Sequence, residues 1–351
     1  MTNDVTSGAL PSSIGSLVEL ESLLSDPPPY VVEAMRAIEG DLVVLGVGGK
    51  MGPTLARMAR RASDLAGVKR RVIGVARFSD AQIESALQKH GVETVRCDFL
   101  EEGALDRLPD AANVVFMAGR KFGSTGFESL TWAMNCYLPA AVCRRYSGSR
   151  IAAFSTGNVY GLSQVGRGGS REEDRPSPVG EYAMSCLGRE RMFEYFSLTR
   201  GLATVILRLN YAVEMRYGVL VDLARRVAAD ETIDVTMGYF NAVWQADANA
   251  IALASLARAA SPPLVLNIAG PEELSVRATC EQFADLLGRR PSFTGQEARD
   301  ALLNNGGRAW SMFGSPRVDA ATLVRWTADW VCRGGDTLDR PTHFESRDGK
   351  F

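Results

Sequence analysis

Short apolar runs alternate with amphipathic stretches along most of this 351-residue chain. The runs are four to seven residues long, and such runs are typical of strands buried in a parallel sheet. The predicted strands are residues 42–45, 71–76, 93–97, 113–118, 151–155, 203–209 and 264–268. Strands that alternate with helices in this way predict an α/β protein with a doubly wound parallel sheet.

Apolar residues recur at helical spacing between and after these strands. The predicted helices are one that begins near Pro53 and others at 80–89, about 126–146, 181–199, 219–229, 247–259 and 275–287. Right-handed crossovers bring the carboxyl ends of parallel strands to one edge of the sheet, where α/β proteins bind their ligands. We therefore look for the functional residues in the loops that follow the strands.

A glycine-rich turn, Gly46-Val47-Gly48-Gly49-Lys50-Met51-Gly52, follows the first strand and precedes the first helix of this repeating unit. Gly46 permits the tight turn, Gly49 lets backbone N–H groups approach a pyrophosphate, and Gly52 lets helix and strand pack closely. The phosphates would lie at the helix N-terminus, beside Lys50 and Met51. The turn in this context predicts a dinucleotide-binding domain of the Rossmann type.

This interpretation divides the chain into four predicted segments. They are an N-terminal helical extension (1–40), the Rossmann domain (41–210, with the late strand near 264–268), a smaller α/β lobe that mainly binds the substrate (211–333) and a C-terminal tail (334–351). The tail is polar, so it is expected on the surface, with Phe344 and Phe351 as possible anchors.

The second strand bears on which dinucleotide is bound. A carboxylate at its end would bind the ribose 2′-hydroxyl of NAD, but the strand ends Val75-Ala76-Arg77-Phe78. The guanidinium of Arg77 suits a 2′-phosphate, unless Arg77 is an ordinary surface residue. NADP is therefore the first choice of cofactor and NAD the second.

Composition and charge narrow the classes of partner. Apolar residues make up 46% of the chain and charged residues 23%, as in a globular protein with a sizeable core. The net charge of −2 gives no basic excess for a phosphate backbone, so nucleic acid is not expected as a partner. There is no signal-peptide pattern and no apolar run of about 20 residues, so a cytoplasmic protein without a membrane span is predicted. Six cysteines without a CxxC pair, and only two histidines, do not predict a metal site.

Further motifs follow in the order of the strands. They are Cys97-Asp98-Phe99, Met117-Ala118-Gly119, Asn135, Phe154-Ser155-Thr156-Gly157-Asn158-Val159-Tyr160-Gly161, Tyr182 with Ser185 and Glu190, Arg208-Leu209-Asn210-Tyr211 and Asn267-Ile268-Ala269-Gly270-Pro271-Glu272. In this combination, residues 41–290 resemble the extended short-chain dehydrogenase/reductase superfamily, in its NAD-dependent epimerase/dehydratase branch.

The resemblance implies a role for each matching residue. Those predicted to bind the cofactor are Gly46, Gly49 and Gly52 at the pyrophosphate, Asp98 at the adenine amino group, Phe99 beside the adenine ring, Ala118 and Gly119 at the nicotinamide ribose, and Asn135. Thr156 matches the residue whose hydroxyl bonds the substrate oxygen, and Tyr182 matches the catalytic acid/base. The alternative for Tyr182 is a core tyrosine of an amphipathic helix.

The chain departs from the family at Cys186, where the motif Y-x-x-x-K has its lysine. That lysine lowers the pKa of the tyrosine and binds the nicotinamide ribose, and cysteine does neither well. A replacement cation, with Lys121 first and Arg189 second, is one explanation. The others are a reaction that needs no phenolate, or a protein that binds cofactor without turnover.

The predicted function is that of an NAD(P)-dependent epimerase/dehydratase or reductase. Its substrate would be a hydroxylated, sugar-like small molecule, possibly a nucleotide sugar, and Tyr182 would act as acid/base beside Thr156 and Lys121. The alternative is a cofactor-binding regulatory or scaffold protein with a degraded catalytic centre. The family also implies a homodimer that pairs the helix at 126–146 with the one that carries Tyr182.

Overall fold

A computed structural model describes residues 10–121, 123 and 125–350. Its strands, in chain order, are β1 (Leu42–Leu45), β2 (Val72–Ala76), β3 (Glu93–Arg96), β4 (Asn113–Phe116), β5 (Arg150–Thr156), β6 (Ser163–Gln164), β7 (Thr204–Leu209), β8 (Ala212–Val213), β9 (Thr232–Asp234), β10 (Tyr239–Phe240), β11 (Val243–Trp244), β12 (Leu264–Ile268), β13 (Leu274–Ser275), β14 (Ser292–Thr294) and β15 (Asp300–Ala301). Seven of them form one sheet in the order β12-β7-β5-β4-β1-β2-β3.

All neighbouring strands of this sheet are parallel, which confirms the predicted fold. The seven are the predicted strands, with ends that differ by one or two residues. In β1, Leu42 and Val44 face one core while Val43 and Leu45 face another on the opposite side of the sheet. Alternate residues of a strand point to opposite faces, so a run that is apolar throughout is buried on both.

The helices lie on both faces of the sheet and in the lobe beyond it. They are α1 (Leu17–Leu24), α2 (Pro29–Ala37), α3 (Gly52–Leu65), α4 (Ala81–Lys89), α5 (Glu128–Trp132), α6 (Leu138–Arg145), α7 (Gly180–Arg200), α8 (Val219–Ala228), α9 (Gln245–Ser255), α10 (Val276–Leu287), α11 (Gly307–Phe313) and α12 (Ala320–Cys332). The helices α1 and α2 pack against α3 and α9. None of the helices in the described ranges is long and apolar enough to cross a membrane.

The long helix predicted at 126–146 contains a π-helical turn, Ala133–Tyr137, between α5 and α6. Pro139 has no N–H to donate to the carbonyl of Asn135, four residues earlier in the chain. Arg189 of α7 donates its Nε–H to that carbonyl instead, at 3.4 Å. The π turn therefore lies where this helix contacts α7.

The lobe beyond residue 210 combines α8 and α10–α12 with short two-stranded pairs that the hydrophobic pattern did not predict. These strands are only two or three residues long, too short for alternation to be recognised. Asp247 lies in the first turn of α9. It is buried and pairs with Arg317 at 2.7 Å, so it fixes the lobe.

The C-terminal segment 334–350 lies mostly on the surface, as predicted, and is held against the fold at a few residues. Phe344 is only 1% exposed, which confirms it as an anchor, and Phe351 lies outside the described residues. The hydroxyl of Tyr211 donates to the Phe344 carbonyl, and Thr342 donates to Asp222 through both its backbone N–H and its hydroxyl. Although the segment is polar, partners within the fold bind its polar groups.

Candidate active site

A cleft of about 470 Å³ lies at the carboxyl ends of β1, β2 and β4. Its volume is within the range of small-molecule and cofactor sites. The residues that line it and were predicted to bind the cofactor are Gly46, Gly49, Arg77, Asp98, Phe99, Ala118 and Gly119. The structure therefore brings together residues from four loops that are far apart in the sequence.

The glycines of the turn are required for two different reasons. Gly46 has φ +90°, and a Cβ there would lie 2.6 Å from the backbone nitrogen of Ala118. A Cβ on Gly52 would overlap the carbonyl of Val47, so this glycine allows α3 to begin directly against the turn. Gly49 is exposed, and its backbone faces the cleft. Such an open backbone at a helix N-terminus fits a pyrophosphate.

The charged groups along the cleft also fit a dinucleotide. Arg77, Arg120 and Arg340 line it together with Asp80 and Asp98. Asp80 caps α4 by accepting the N–H of Gln82 at 2.8 Å, and Arg120 donates to the carbonyl of Gly123 at 2.9 Å. Arg77 is exposed at the end of β2, where a ribose phosphate could reach it.

Asn135 does not line this cleft, in contrast to the prediction. It is fully buried on the π turn, and its Oδ1 accepts from the Arg120 N–H at 2.9 Å and from Arg189 at 2.8 Å. Its Nδ2 donates to the Arg120 carbonyl and to Ser185. Asn135 therefore positions the loop after β4. From its sequence position alone, an amide that bonds within the fold looks the same as an amide that binds the cofactor.

Thr156 and Tyr182 meet at the end of β5, as the resemblance implies. The hydroxyl of Tyr182 hydrogen-bonds to the side chains of Thr156 and Cys186. Burial raises the pKa of Tyr182, the neighbouring Cys186 raises it further, and the charge of Arg189 lowers it in part. Tyr182 is therefore a neutral phenol at physiological pH.

Cys186 is 1% exposed and packs with Val159, Tyr160 and Tyr182. Burial raises the pKa of its thiol, so it is not a nucleophile of the thiolate kind. It fills the place of the family lysine as a small, buried side chain.

Two cations lie near this pair. The Nζ of Lys121 is 5.9 Å from the centre of the Tyr182 ring, and burial lowers the pKa of Lys121 to about 8. Arg189 is buried, donating to the Phe154 carbonyl at 2.7 Å and to Asn135. Arg189 is thus held in the framework, while Lys121 lines the cavity in front of Tyr182.

That cavity has a volume of about 160 Å³ and lies between the sheet edge and the lobe. Lys50 and Met51, predicted as cofactor ligands, line this cavity and not the larger cleft. The ammonium of Lys50 donates to the Ala212 carbonyl at 2.8 Å and lies 4.0 Å from the centre of the Tyr217 ring. The glycine turn therefore contributes to both sites.

The C-terminal segment supplies residues that the sequence did not predict. Arg340 lines the large cleft, and Thr342 lines the small cavity. Nothing in the sequence around them indicates this, because their position depends on how the segment folds back. The hydrogen bonds of Thr342 to Asp222 hold this part of the segment at the site.

Several motif residues of the resemblance form a buried polar network behind the site. Glu190 accepts from Arg208 at 2.7 Å and from Ser155 at 2.6 Å. The Tyr160 hydroxyl donates to Asn267 at 2.9 Å. These contacts tie α7 to β5, β7 and β12. Ser155 also lines the small cavity, and the other four residues support the site without lining it.

Of the polar and aromatic residues in the lobe, Tyr217 reaches the small cavity. The others of this group are engaged within the fold: Glu214 with Arg216, Asn241 with the Glu272 carbonyl and the Asn304 N–H, Trp244 with Trp326, Gln245 with Thr54 and Arg308 with Glu173. They therefore fix the lobe.

The model of the NAD dependent epimerase/dehydratase family matches residues 42–236. The chain belongs to this family. No curated protein matches the sequence. The solved structure of UDP-glucuronic acid 4-epimerase from Bacillus cereus is 17% identical, with a TM-score of 0.70 over 84% of this chain and 99% of that one.

Two further solved structures share this fold. UDP-glucose 4-epimerase from Thermotoga maritima is 17% identical, with a TM-score of 0.69 over 84% of this chain and 99% of that one. dTDP-glucose 4,6-dehydratase from Bacillus anthracis is 16% identical, with a TM-score of 0.70 over 84% and 97% of the two chains. At these identities the likeness concerns the fold.

Proposed function

We propose that this protein is an epimerase or dehydratase of nucleotide sugars that uses a bound nicotinamide dinucleotide. The observation that carries the proposal is the hydrogen-bonded pair of Thr156 and Tyr182, next to a cleft shaped for a dinucleotide. The solved structures of similar fold include enzymes named as acting on UDP- and dTDP-sugars. We infer the same class of substrate here.

The chain's own residues would move a proton at the substrate hydroxyl. A bound nicotinamide would supply hydride exchange at the carbon that carries this oxygen. Thr156 would donate a hydrogen bond to the oxygen, and the neutral phenol of Tyr182 would exchange a proton with it. An unperturbed tyrosine is only about 0.1% ionised at neutral pH, and burial reduces that fraction for Tyr182.

Withdrawing a proton from an alcohol therefore needs help from a cation. Lys121 supports this role best, because it faces the cavity and lies close to the Tyr182 ring. Its charge would stabilise the deprotonated form of Tyr182, which is the form that can accept the proton of the substrate hydroxyl. Lys121 would thus replace the family lysine from a different element of the fold.

The identity of the dinucleotide is a separate proposal. The Bacillus cereus and Bacillus anthracis structures are named as complexes with NAD, which does not favour NADP. Arg77 lines the cleft at the end of β2 and supports NADP as the first choice, with NAD as the alternative. Competition of NADP and NAD for the protein, measured by calorimetry, decides between them.

A homodimer is also proposed. Several large apolar side chains on α7 and on the helix before it are exposed: Leu130 (37%), Trp132 (38%), Tyr137 (63%), Met184 (45%), Tyr195 (56%) and Leu198 (59%). Leu138, Phe193 and Phe196 of the same helices are buried in the core and do not contribute. The mass in solution, and its reduction to that of a monomer by Leu198→Asp, tests this.

The second candidate function is a cofactor-binding regulatory protein, and Cys186 is the observation that favours it. To separate the two, the protein is incubated with NAD or NADP and with UDP-glucose, UDP-glucuronic acid or dTDP-glucose. Reduced nicotinamide is followed by absorbance and the sugar by NMR. The enzyme proposal expects an altered sugar and its loss in Tyr182→Phe, while Tyr195→Phe, on the same helix, retains activity. Cofactor binding without change in any sugar supports the regulatory candidate.

A further inference from the structure

Lys50 occupies an unusual place for a charged side chain. Its backbone belongs to the glycine turn, but its side chain extends away from the dinucleotide cleft to the Ala212 carbonyl and the Tyr217 ring. An ammonium has three N–H donors, and the described residues accept from only one of them. At least one donor therefore remains for a ligand in the cavity.

No described carboxylate forms an ion pair with Lys50. The nearest acids act elsewhere: Glu214 is bound by Arg216 at 3.0 Å, and Asp222 accepts from Thr342 at 2.9 Å. Burying an ammonium without a carboxylate is costly, so an apolar residue would serve the fold better at this position. The position of Lys50 points to a ligand that provides the missing negative charge.

The cavity as a whole is positive. Lys50 and Lys121 both line it, and no acidic side chain does so in the part of the chain that the structure describes. Its remaining polar lining consists of hydroxyls and amides, including Thr156, Asn158 and Asn210. Burial lowers the pKa of Lys50 to about 7, the charge of Glu214 raises it in part, and the charge of Lys121 lowers it further. Two ammonium groups in one small cavity repel each other unless an anion lies between them.

We propose that this cavity binds the sugar of a nucleotide sugar that carries a carboxylate, and that Lys50 is the residue that recognises the carboxylate. This rests on the proposed function, because the reacting hydroxyl must lie at Thr156 and Tyr182. A carboxylate accepts several hydrogen bonds and brings the negative charge that no described side chain lining the cavity supplies. Lys50 thus selects the substrate, while Lys121 serves the proton transfer.

The test compares UDP-glucuronic acid with UDP-glucose, which differ in this carboxylate. Their affinities for the protein, loaded with whichever of NADP and NAD it binds more tightly, are measured by calorimetry. We expect the acid to bind more tightly by about tenfold or more, as for a hydrogen bond between charged groups. In Lys50→Met the ratio of the two affinities falls to about one, and in the control Lys69→Met, at an exposed position, it does not change.

A measurement on the unaltered protein keeps the proposal testable if Lys50→Met fails to fold. A lysine with a pKa of about 7 is charged below that value and neutral above it. Binding the acid raises its pKa, so the protein takes up protons when titrated in buffers above that pH, and UDP-glucose causes no such uptake. The preference for the acid also declines as the pH rises through about 7 and 8, where Lys50 and Lys121 lose their charges.

The groups that face Lys50 are Lys121, Glu214, Arg216, Tyr217 and Asp222. Equal affinities for the two sugars, with no proton uptake, overturn the role of Lys50 and leave the proposed function in place. If neither nucleotide sugar binds, the proposed function and this inference both fall. A preference for the acid that survives Lys50→Met assigns the carboxylate to another residue and overturns the inference.

Discussion

Replacing Lys121 with methionine tests whether this residue substitutes for the family lysine. Methionine keeps much of the side-chain length and removes the charge. The Nζ of Lys121 lies 5.9 Å from the centre of the Tyr182 ring. At that distance and an effective dielectric constant of about 20, a unit charge stabilises a phenolate by about 3 kcal/mol. This corresponds to a loss of about 100-fold in any step that passes through a phenolate.

The loss should depend on the direction of the reaction. Oxidation of an alcohol withdraws a proton into Tyr182, whereas reduction of a carbonyl takes a proton from the neutral phenol. We therefore expect Lys121→Met to slow reduction of the dinucleotide by the sugar by up to about 100-fold, and the reverse step by less. Single-turnover absorbance measurements with the dinucleotide bound separate these rates from cofactor affinity.

Two variants complete this experiment. Lys89→Met, in the last turn of α4, removes a lysine away from the site and should change neither rate. Cys186→Lys restores the family motif and should recover part of the activity of Lys121→Met. If Lys121→Met leaves both rates unchanged, Lys121 is not the replacement cation. Arg189, whose charge also lowers the pKa of Tyr182, then becomes the remaining candidate.

Three other expectations concern stability and cofactor choice. Glu190→Gln leaves Arg208 without its buried charged partner and should lower the unfolding free energy by about 3–5 kcal/mol, measured by urea titration. A change below about 1 kcal/mol would contradict the stabilising role of this buried polar network. Phe344→Ala removes the anchor of the C-terminal segment and should cost about 3–5 kcal/mol, with weaker dinucleotide binding because the segment that carries Arg340 is loosened. If the segment is only a surface tail, Phe344→Ala changes neither the unfolding free energy nor the affinity for the dinucleotide. Arg77→Ala should reduce the affinity for NADP by about tenfold or more and leave that for NAD nearly unchanged, and equal effects on both argue against a 2′-phosphate at Arg77.

The hydrophobic pattern was sufficient for the sheet because most of its strands are buried on both faces, although the edge strand β3 is partly exposed. The runs at 42–45 and 264–268 are far apart in the sequence, yet both are strands of one parallel sheet, and the right-handed crossover rule puts their loops on one edge. Strands of two residues in the lobe carry no such pattern, and the sequence did not predict them. The π turn was also not expected, although Pro139 within the helix is a signal for a break.

The same distinction applies to the site. The family resemblance led to Thr156 and Tyr182, and the fold brings their side chains together at the end of β5. The motifs did not give the orientation of the Asn135 and Lys50 side chains, because a motif locates a Cα and not the direction of a side chain. Asn135 turns inward to the loop after β4, and Lys50 crosses to Ala212.

The sequence by itself determined the fold and the dinucleotide cleft, because these depend on local patterns: apolar runs, a glycine turn and residues that follow strands. The tertiary structure decided which charges meet beside Thr156 and Tyr182. Lys50, Lys121 and the segment around Thr342 come from three separate parts of the chain and line one cavity. Electrostatic effects depend on distance and burial, which only the folded chain defines.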